Sequence, residues 1–517
     1  MKVRFLAPIL CGLAFAQEKP VVFDSADVHV SAPSMNPTFR GGALRGGRFD
    51  VRTATMTDLI SYAYELDQTY VIGGPSWLDW DRFDVLAKAP VGTTSPDLLK
   101  MLQNLLADRF KLVVHKDKKS MPVFALTASK SKPKMKESSS SGDPQCQDVP
   151  QAPGILRQQV IACKNMTMAK FVDTLMGYGG GTYFSDPVVD QTGLAGSYDF
   201  ELKWTQRNRL AQTGADGVSL FDAVDKQLGL KLEATKTPMP VVIVDSVNQK
   251  PTPNEAGVET KIPPSPPAEF EVAVIKPTSL DLREQNGRIM NGRLDLQNFT
   301  LKRMIQIAWD LDNNDEMLVG APKSVDSNHW DVTAKVLTAG PVNAADIDFD
   351  ALKLMLRQLL MDRFGLKVHM EDRPVSAFTM TATKQVKLTK ADPQNRTGCK
   401  SGAGANPMLN RQITCQNVNM AQLAASLRNM ANGYVKAPIK DATGLDGFYD
   451  LSVSFSGVNL LPGALFDPNK ESGSSDPNGS MTLPEAMQKQ LGLKLELEKR
   501  PLPVLVVDHV EDRPSEN

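Results

Sequence analysis

The chain has few of the residues that usually carry chemistry: 5 histidines and 5 cysteines among 517 residues. It also has no charge of one sign to spare, with 58 Lys+Arg against 59 Asp+Glu and a formal net charge of -1. Without a positive field nothing gathers a nucleic acid or an anionic bilayer, so no nucleic-acid partner is expected. No stretch beyond the N-terminus is apolar over the roughly 20 residues that a spanning helix needs, which excludes a membrane bundle. HExxH, GxSxG, Walker and Rossmann fingerprints are missing, and no catalytic residue, metal or cofactor is assigned. What remains is an ordinary folded composition, 41% hydrophobic and 23% charged. A single core stops growing at roughly 250–300 residues, so the chain must divide into domains.

The first 16 residues read as a secretory signal. Lys2 and Arg4 precede a short apolar run over 5–15, and Ala14-Phe15-Ala16 offers the small-x-small exit. The run is too short to anchor. Lipid attachment at Cys11 does not fit, because Pro8-Ile9-Leu10 lacks small residues before the cysteine. The mature chain is therefore expected outside the cytoplasm, periplasmic or extracellular, with no transmembrane segment. Four cysteines are left: Cys146, Cys163, Cys399 and Cys415. An even number in an oxidising compartment points to disulfides. Their spacing favours 146–163 and 399–415, each worth roughly 3 kcal/mol by loop entropy. A zinc site would want shorter spacings and nearby histidines.

The sequence repeats itself. KQLGLKLE stands at 226–233 and again at 489–496, DQTGLAGSYD at 190–199 returns as DATGLDGFYD at 441–450, and DRFKLVVH at 108–115 returns as DRFGLKVH at 362–369. Four segments follow: a signal at 1–16, a first module at 21–248, a linker at 249–268 and a second module at 269–517. The linker holds Pro251, Pro253, Pro263, Pro264, Pro266 and Pro267, which predicts an extended polyproline spacer. Each module repeats more weakly inside. An aromatic-Asp-aliphatic triplet opens a unit four times, at Phe83-Asp84-Val85, Tyr198-Asp199-Phe200, Trp330-Asp331-Val332 and Tyr449-Asp450-Leu451.

Met56, Leu59, Ile60 and Ala63 follow helical spacing, as do Leu98, Leu102, Leu105 and Leu106. Helix starts are signalled by Thr55 with Asp58, Ser95 before Pro96, Ser219 with Asp222, and Thr482 with Glu485. Leu112-Val113-Val114 and Val241-Val242-Ile243-Val244 read as strands. A half-unit is then strand, helix, strand, helix and a closing hairpin, and the fold class is α+β. Polar stretches at 130–157, 205–218, 385–410 and 453–480 read as loops.

The signal, GRFDVRTATMTDLISYAYEL, GGPSWLDWDRFDV, LLADRFKLVVH, DQTGLAGSYDF and QLGLKLE together resemble the soil-associated exported proteins typical of Acidobacteria, whose shared domain has no assigned function. The resemblance covers nearly the whole mature chain, twice. Related domains are attached to membrane sensor-peptidase-like regions, which implies a sensory or binding role. The half-unit is also weakly similar to the short N-terminal domain of secretins and TonB-dependent receptors. The second copy departs from the pattern at Gly320-Ala321-Pro322-Lys323-Ser324-Val325, where the tryptophan of GGPSW is lost.

Candidate site residues are few. His115 and His369 alone among the histidines recur in both copies, and strand alternation places them on an outer face. His29, His329 and His509 have no counterparts. Ser129 and Lys132 match a Ser-x-x-Lys spacing but lack its companion motifs. The triplet aspartates read as same-face ion pairs with Lys88, Lys203 and Lys335. Arg109 and Arg363 read as helix-end cations. Gly193, Gly196, Gly444 and Gly447 read as turn residues. The best surface for ligand contact is the turn Gly73-Gly74-Pro75-Ser76-Trp77, which presents an indole on a loop. The function expected is an exported non-catalytic binding protein whose tandem modules meet a protein or glycan of the envelope or surroundings. The alternatives are an envelope-polymer hydrolase using His115 or His369 with a triplet aspartate, and a subunit of a secretion or sensor assembly.

Overall fold

A computed structural model describes residues 21–516 except 33–37, 130–132, 140–141, 150–157, 181–182, 185, 208–209, 211–216, 265–268, 280–284, 291, 312–313, 337–348, 393–394, 404–409 and 459–480. The signal segment with Cys11, and Lys132, lie outside the described residues.

The first half of the first copy runs β1 (Ser25–Val30), β2 (Arg40–Arg45), β3 (Arg48–Thr55), α1 (Met56–Tyr64), β4 (Val71–Gly73), β5 (Arg82–Lys88), α2 (Ser95–Arg109) and β6 (Val113–Ala128). Helix α1 begins where the Thr55 side chain accepts the Asp58 N–H and Asp58 accepts the Thr55 N–H, a reciprocal cap. Helix α2 is capped by Thr94 with Asp97, one residue earlier than Ser95, which leaves Pro96 in the first turn. Strands β1-β5-β3-β2 form an antiparallel sheet. Its inner residues Val28, Phe49, Val51, Phe83 and Val85 pack with Leu59 and Ile60 of α1 and Leu102 and Leu106 of α2.

The second half repeats this with β7 (Lys136–Glu137), β8 (Gln145–Asp148), β9 (Gln158–Met166), α3 (Met168–Gly179), β10 (Val188–Asp190), β11 (Tyr198–Thr205), α4 (Leu220–Ala223) and β12 (Leu230–Ser246). Its sheet order is β7-β11-β9-β8. Cys146 lies opposite Cys163 across β8 and β9, and the two are disulfide-bonded. In the second copy Cys399 and Cys415 are opposed and bonded in the same way.

The closing hairpin of each half-unit does not form. Residues 113–128 run on as one 16-residue strand. It pairs antiparallel with the 17-residue β12, unbroken from Leu230↔Ala128 to Val244↔Val114. The physical reason lies at Lys118-Lys119-Ser120, which offers none of the Gly, Asn or Asp that a two-residue turn demands. Each short parallel strand docks on the long strand of the other half: Val71 of β4 pairs with Val242 of β12, and Val188 of β10 with Phe124 of β6. The halves thus complete each other. Val242 and Val244 enter the first core beside Phe49 and Leu102, while Leu126 of β6 enters the second beside Phe171 and Trp204. At mid-ribbon the strands are exposed, and lysines with Pro122, Pro238 and Pro240 blunt the open edges against further pairing.

The second copy follows the same plan, with long strands Lys367–Ala382 and Leu493–His509 paired from Leu493↔Ala382 to Val507↔Val368. It has two cores of its own. Helices over one face of small antiparallel sheets, twice in each copy, make the class α+β.

The described part of the segment between the copies, 249–264, is packed rather than an open spacer; Pro266 and Pro267 lie outside the described residues. Arg109, 7% exposed, donates from Nε to both Thr252 oxygens and from Nη2 to Asn254 Oδ1. Asn254 also accepts the Val28 N–H at 3.0 Å. A short helix α5 (Val258–Lys261) buries Val258, with Ile262 buried next to it, and Arg48 donates to the Pro263 carbonyl at 2.7 Å. Polar side chains that fit the first copy override the extended bias of the prolines. Arg109 is therefore a tail anchor. Arg363 does the same for the second copy by donating to the Ser515 carbonyl at 2.6 Å. Among the described residues no helix is long and apolar enough to cross a membrane.

Candidate functional site

The four triplet aspartates do not pair with the lysines four residues on. Each accepts the backbone N–H of a residue in the left-handed region two positions before a helix cap. Thr53 (φ 50) donates to Asp84 at 2.8 Å, Asn165 (φ 51) to Asp199 at 2.8 Å, Asn298 (φ 61) to Asp331 at 2.9 Å and Asn417 (φ 50) to Asp450 at 2.8 Å. The strands bulge there, and the carboxylate holds the strained residue where the ladder leaves its N–H unpaired. The Asn165 N–H, with help from Ser138, holds the Asp199 carboxyl below its ordinary range. Lys88 and Lys335 turn instead to Asp24 and Glu271. The signal was visible as Asn-x-Thr or Asn-x-Asn before Met or Leu, at Asn165, Asn298 and Asn417. These aspartates are structural; one of them, Asp84, also lies 3.5 Å from Nε2 of the half-exposed His29.

His115 and His369 have other partners. His115 Nδ1 lies 2.8 Å from Asp245 Oδ2, and His369 Nδ1 lies 2.9 Å from Asp508 Oδ2, each pair across its own ribbon. The hydrogen bond that His369 donates to Asp508 raises its pKa above 6.5, with Glu371 adding to it. Both rings are half exposed, 52% and 50%. Neither lines a cavity described below. Among the described residues no group of His, Cys, Asp and Glu could hold a metal ion.

The Gly73–Trp77 turn is built tightly. A Cβ on Gly74 (φ 73) would stand 2.6 Å from Leu78 Cδ1 and 2.9 Å from Val244 Cγ1, so only glycine fits. Trp77 is partly buried, edge-on to Phe83 with ring centroids 6.1 Å apart. The polar groups around the turn meet the second copy. Arg396 donates from Nη1 to the carbonyls of Val71 at 3.0 Å and Gly73 at 3.2 Å, and from Nη2 to the Thr57 hydroxyl at 2.7 Å. It also grips both Asp79 carboxylate oxygens. A bidentate pair with further carbonyl contacts fixes orientation as well as distance. Arg396 sits in a stretch that reads as a polar loop, and nothing around it marks its role.

A reciprocal contact runs the other way. Arg40 of the first copy donates to Asp350 at 3.1 Å and Asp310 at 3.0 Å in the second. Burial would raise the Asp310 carboxyl, but Lys353 and Arg40 outweigh it and hold it low. Next to this contact lies a cleft of about 1240 Å³. The first copy contributes Phe39, Tyr62 and Glu65, among others, and the second copy Phe349, Asp350 and Lys353. Tyr62 is fixed by donating to the Gly42 carbonyl, and its ring lies 6.2 Å from that of Phe39. Phe349 is 65% exposed. Neither copy alone would have these walls, and periodicity within one copy could not reveal them.

No curated protein and no solved structure matches the chain. One family model does match it, over residues 57–247 and again over 302–510, one stretch within each of the duplicated folds just described. The chain belongs to the family described as protein of unknown function (DUF3738), carried here in two copies.

Proposed function

We propose that this chain is an exported, non-catalytic binding protein whose two copies are fastened together to form one ligand cleft. The observation that carries the reading is the cleft of about 1240 Å³ with walls from both copies. Aromatic faces at Phe39, Tyr62 and Phe349 next to fixed charges suit a ligand with flat apolar faces and a hydroxyl-rich or amide-rich rim, a glycan or a peptide. Two disulfides support an oxidising compartment and hence export. For the Gly73–Trp77 turn, the contact partner is the second copy itself. Glycan and peptide arrays probed with the full chain test the proposal. Replacing Phe39 and Phe349 together by Ala should weaken capture at least tenfold, about 1.4 kcal/mol, with an unchanged thermal midpoint. Capture unaffected by that change, or no capture at all, refutes the cleft.

The hydrolase alternative rests on the His115–Asp245 and His369–Asp508 pairs, which recur in both copies. It requires that His115→Ala with His369→Ala abolish an activity on envelope polymers that the wild-type chain shows. For a role within a secretion or sensor assembly, a stable partner should be retained from periplasmic extract.

A further inference from the structure

We propose that the Gly73–Trp80 turn is the receiving half of a head-to-tail junction between modules of this family, and that the joined pair takes up no further module by this contact because both of its outer faces are chemically capped. The partner that fits the receiver is a second copy of the same module, offering an arginine from the loop before its first disulfide cysteine. Arg396, three residues before Cys399, occupies that position on the receiver of the first copy.

The corresponding receiver of the second copy is different. Gly320, Pro322 and Asp326 stand where Gly73, Pro75 and Asp79 stand in the first. The residue matching Thr57, second in its helix, is Lys302. Its ammonium lies 3.2 Å from Asp326 and 2.9 Å from Asp315, with both hydrogen bonds holding the charge in place. A cation of the module itself thus sits on the aspartate that Arg396 takes in the first copy. The space for an incoming side chain persists next to it, as a cavity of about 410 Å³ between Lys302, Leu318, Pro322 and Val325.

The other end is capped by charge reversal. Three residues before Cys146 stands Asp143, exposed, where the second copy has Arg396. An aspartate there would repel the aspartate of a receiver. The reciprocal clamp is missing outward as well. Asn286 pairs opposite Gln297 as Arg40 pairs opposite Arg52, so the second copy presents an amide where the first presents a guanidinium. A heterologous contact that does not close on itself grows into an open filament unless its ends are blocked. Lys302, Asp143 and Asn286 are those blocks.

The test restores the ends in the full chain with Asp143→Arg, Asn286→Arg and Lys302→Thr. Sedimentation velocity over a wide concentration range should show each single variant at the mass of one chain. The triple variant should form concentration-dependent assemblies whose mean mass at least doubles, and high salt should reverse them. A triple variant that keeps the wild-type thermal midpoint and remains at the mass of one chain overturns the capping. A second measurement stands independently of how the triple variant folds. Arg396→Ala in the otherwise unchanged chain should loosen the two copies and raise the radius of gyration in solution scattering. An unchanged scattering profile overturns the junction.

Discussion

At the residue scale, the clearest lesson is the repeated aspartate. Four triplets were legible in the sequence, but their job was not, because the backbone N–H that each aspartate accepts belongs to a strand more than thirty positions away, from Thr53 with Asp84 to Asn417 with Asp450. Lysines four residues on suggested a surface pair, and the bulge outcompeted it. Asp450→Ala leaves the Asn417 N–H, on a residue 1% exposed, without its partner. Denaturant titration should show a loss of about 1–3 kcal/mol. Asn417→Val should cost at least about 1 kcal/mol, because a β-branched residue resists φ near 50°. His369 gives a pH signature. Its pKa is raised in the fold by Asp508, so the stability it contributes is fully present below pH 6.5 and is lost as the pH rises through the raised value. A titration followed by NMR should show His369 above 6.5, and Asp508→Asn should bring it down towards that value.

At the element scale, helix starts were readable because a cap is local: Thr55 with Asp58, Ser219 with Asp222 and Thr482 with Glu485 each act within four residues. The long ribbon was not readable. Hydrophobic alternation marks 112–114 and 241–244 as strands but says nothing about which distant strand each will join, and a hairpin was the local solution. The ribbon has a consequence for folding. Because Val242 and Val244 complete the core around Phe49, residues 21–129 lack part of their own interior. Expressed alone, that stretch should show no cooperative thermal transition, and co-expression with residues 130–263 should restore one. A sharp transition for the short fragment by itself would mean that each half closes its own sheet.

At the scale of the whole molecule, the duplication was plain from repeated strings, whereas the way the copies meet was hidden in single side chains, Arg40 and Arg396, outside every repeated string. The proline-rich stretch shows the same limit from the other side: its composition favours an extended spacer, yet Thr252 and Asn254 hold it on the first copy. The tails behind the two copies are equivalent in position but not in environment, and this asymmetry can be measured. Arg109 is 7% exposed and, among the described residues, depends on Thr252 and Asn254 for most of its acceptors, with the Ala26 carbonyl at 3.2 Å besides. Arg363 is only half-buried and binds Ser515 near the chain end. Taking an acceptor from a buried cation costs more than taking one from a cation that water can reach. Asn254→Ala should therefore lower stability by about 2–4 kcal/mol, since it also strands the Val28 N–H. Deleting residues 513–517 should cost under about 1 kcal/mol. Thermal unfolding of the two full-chain variants side by side checks the order. Equal losses would show that Arg109 finds other acceptors once Asn254 is gone, and that the segment behind the first copy is not what holds it.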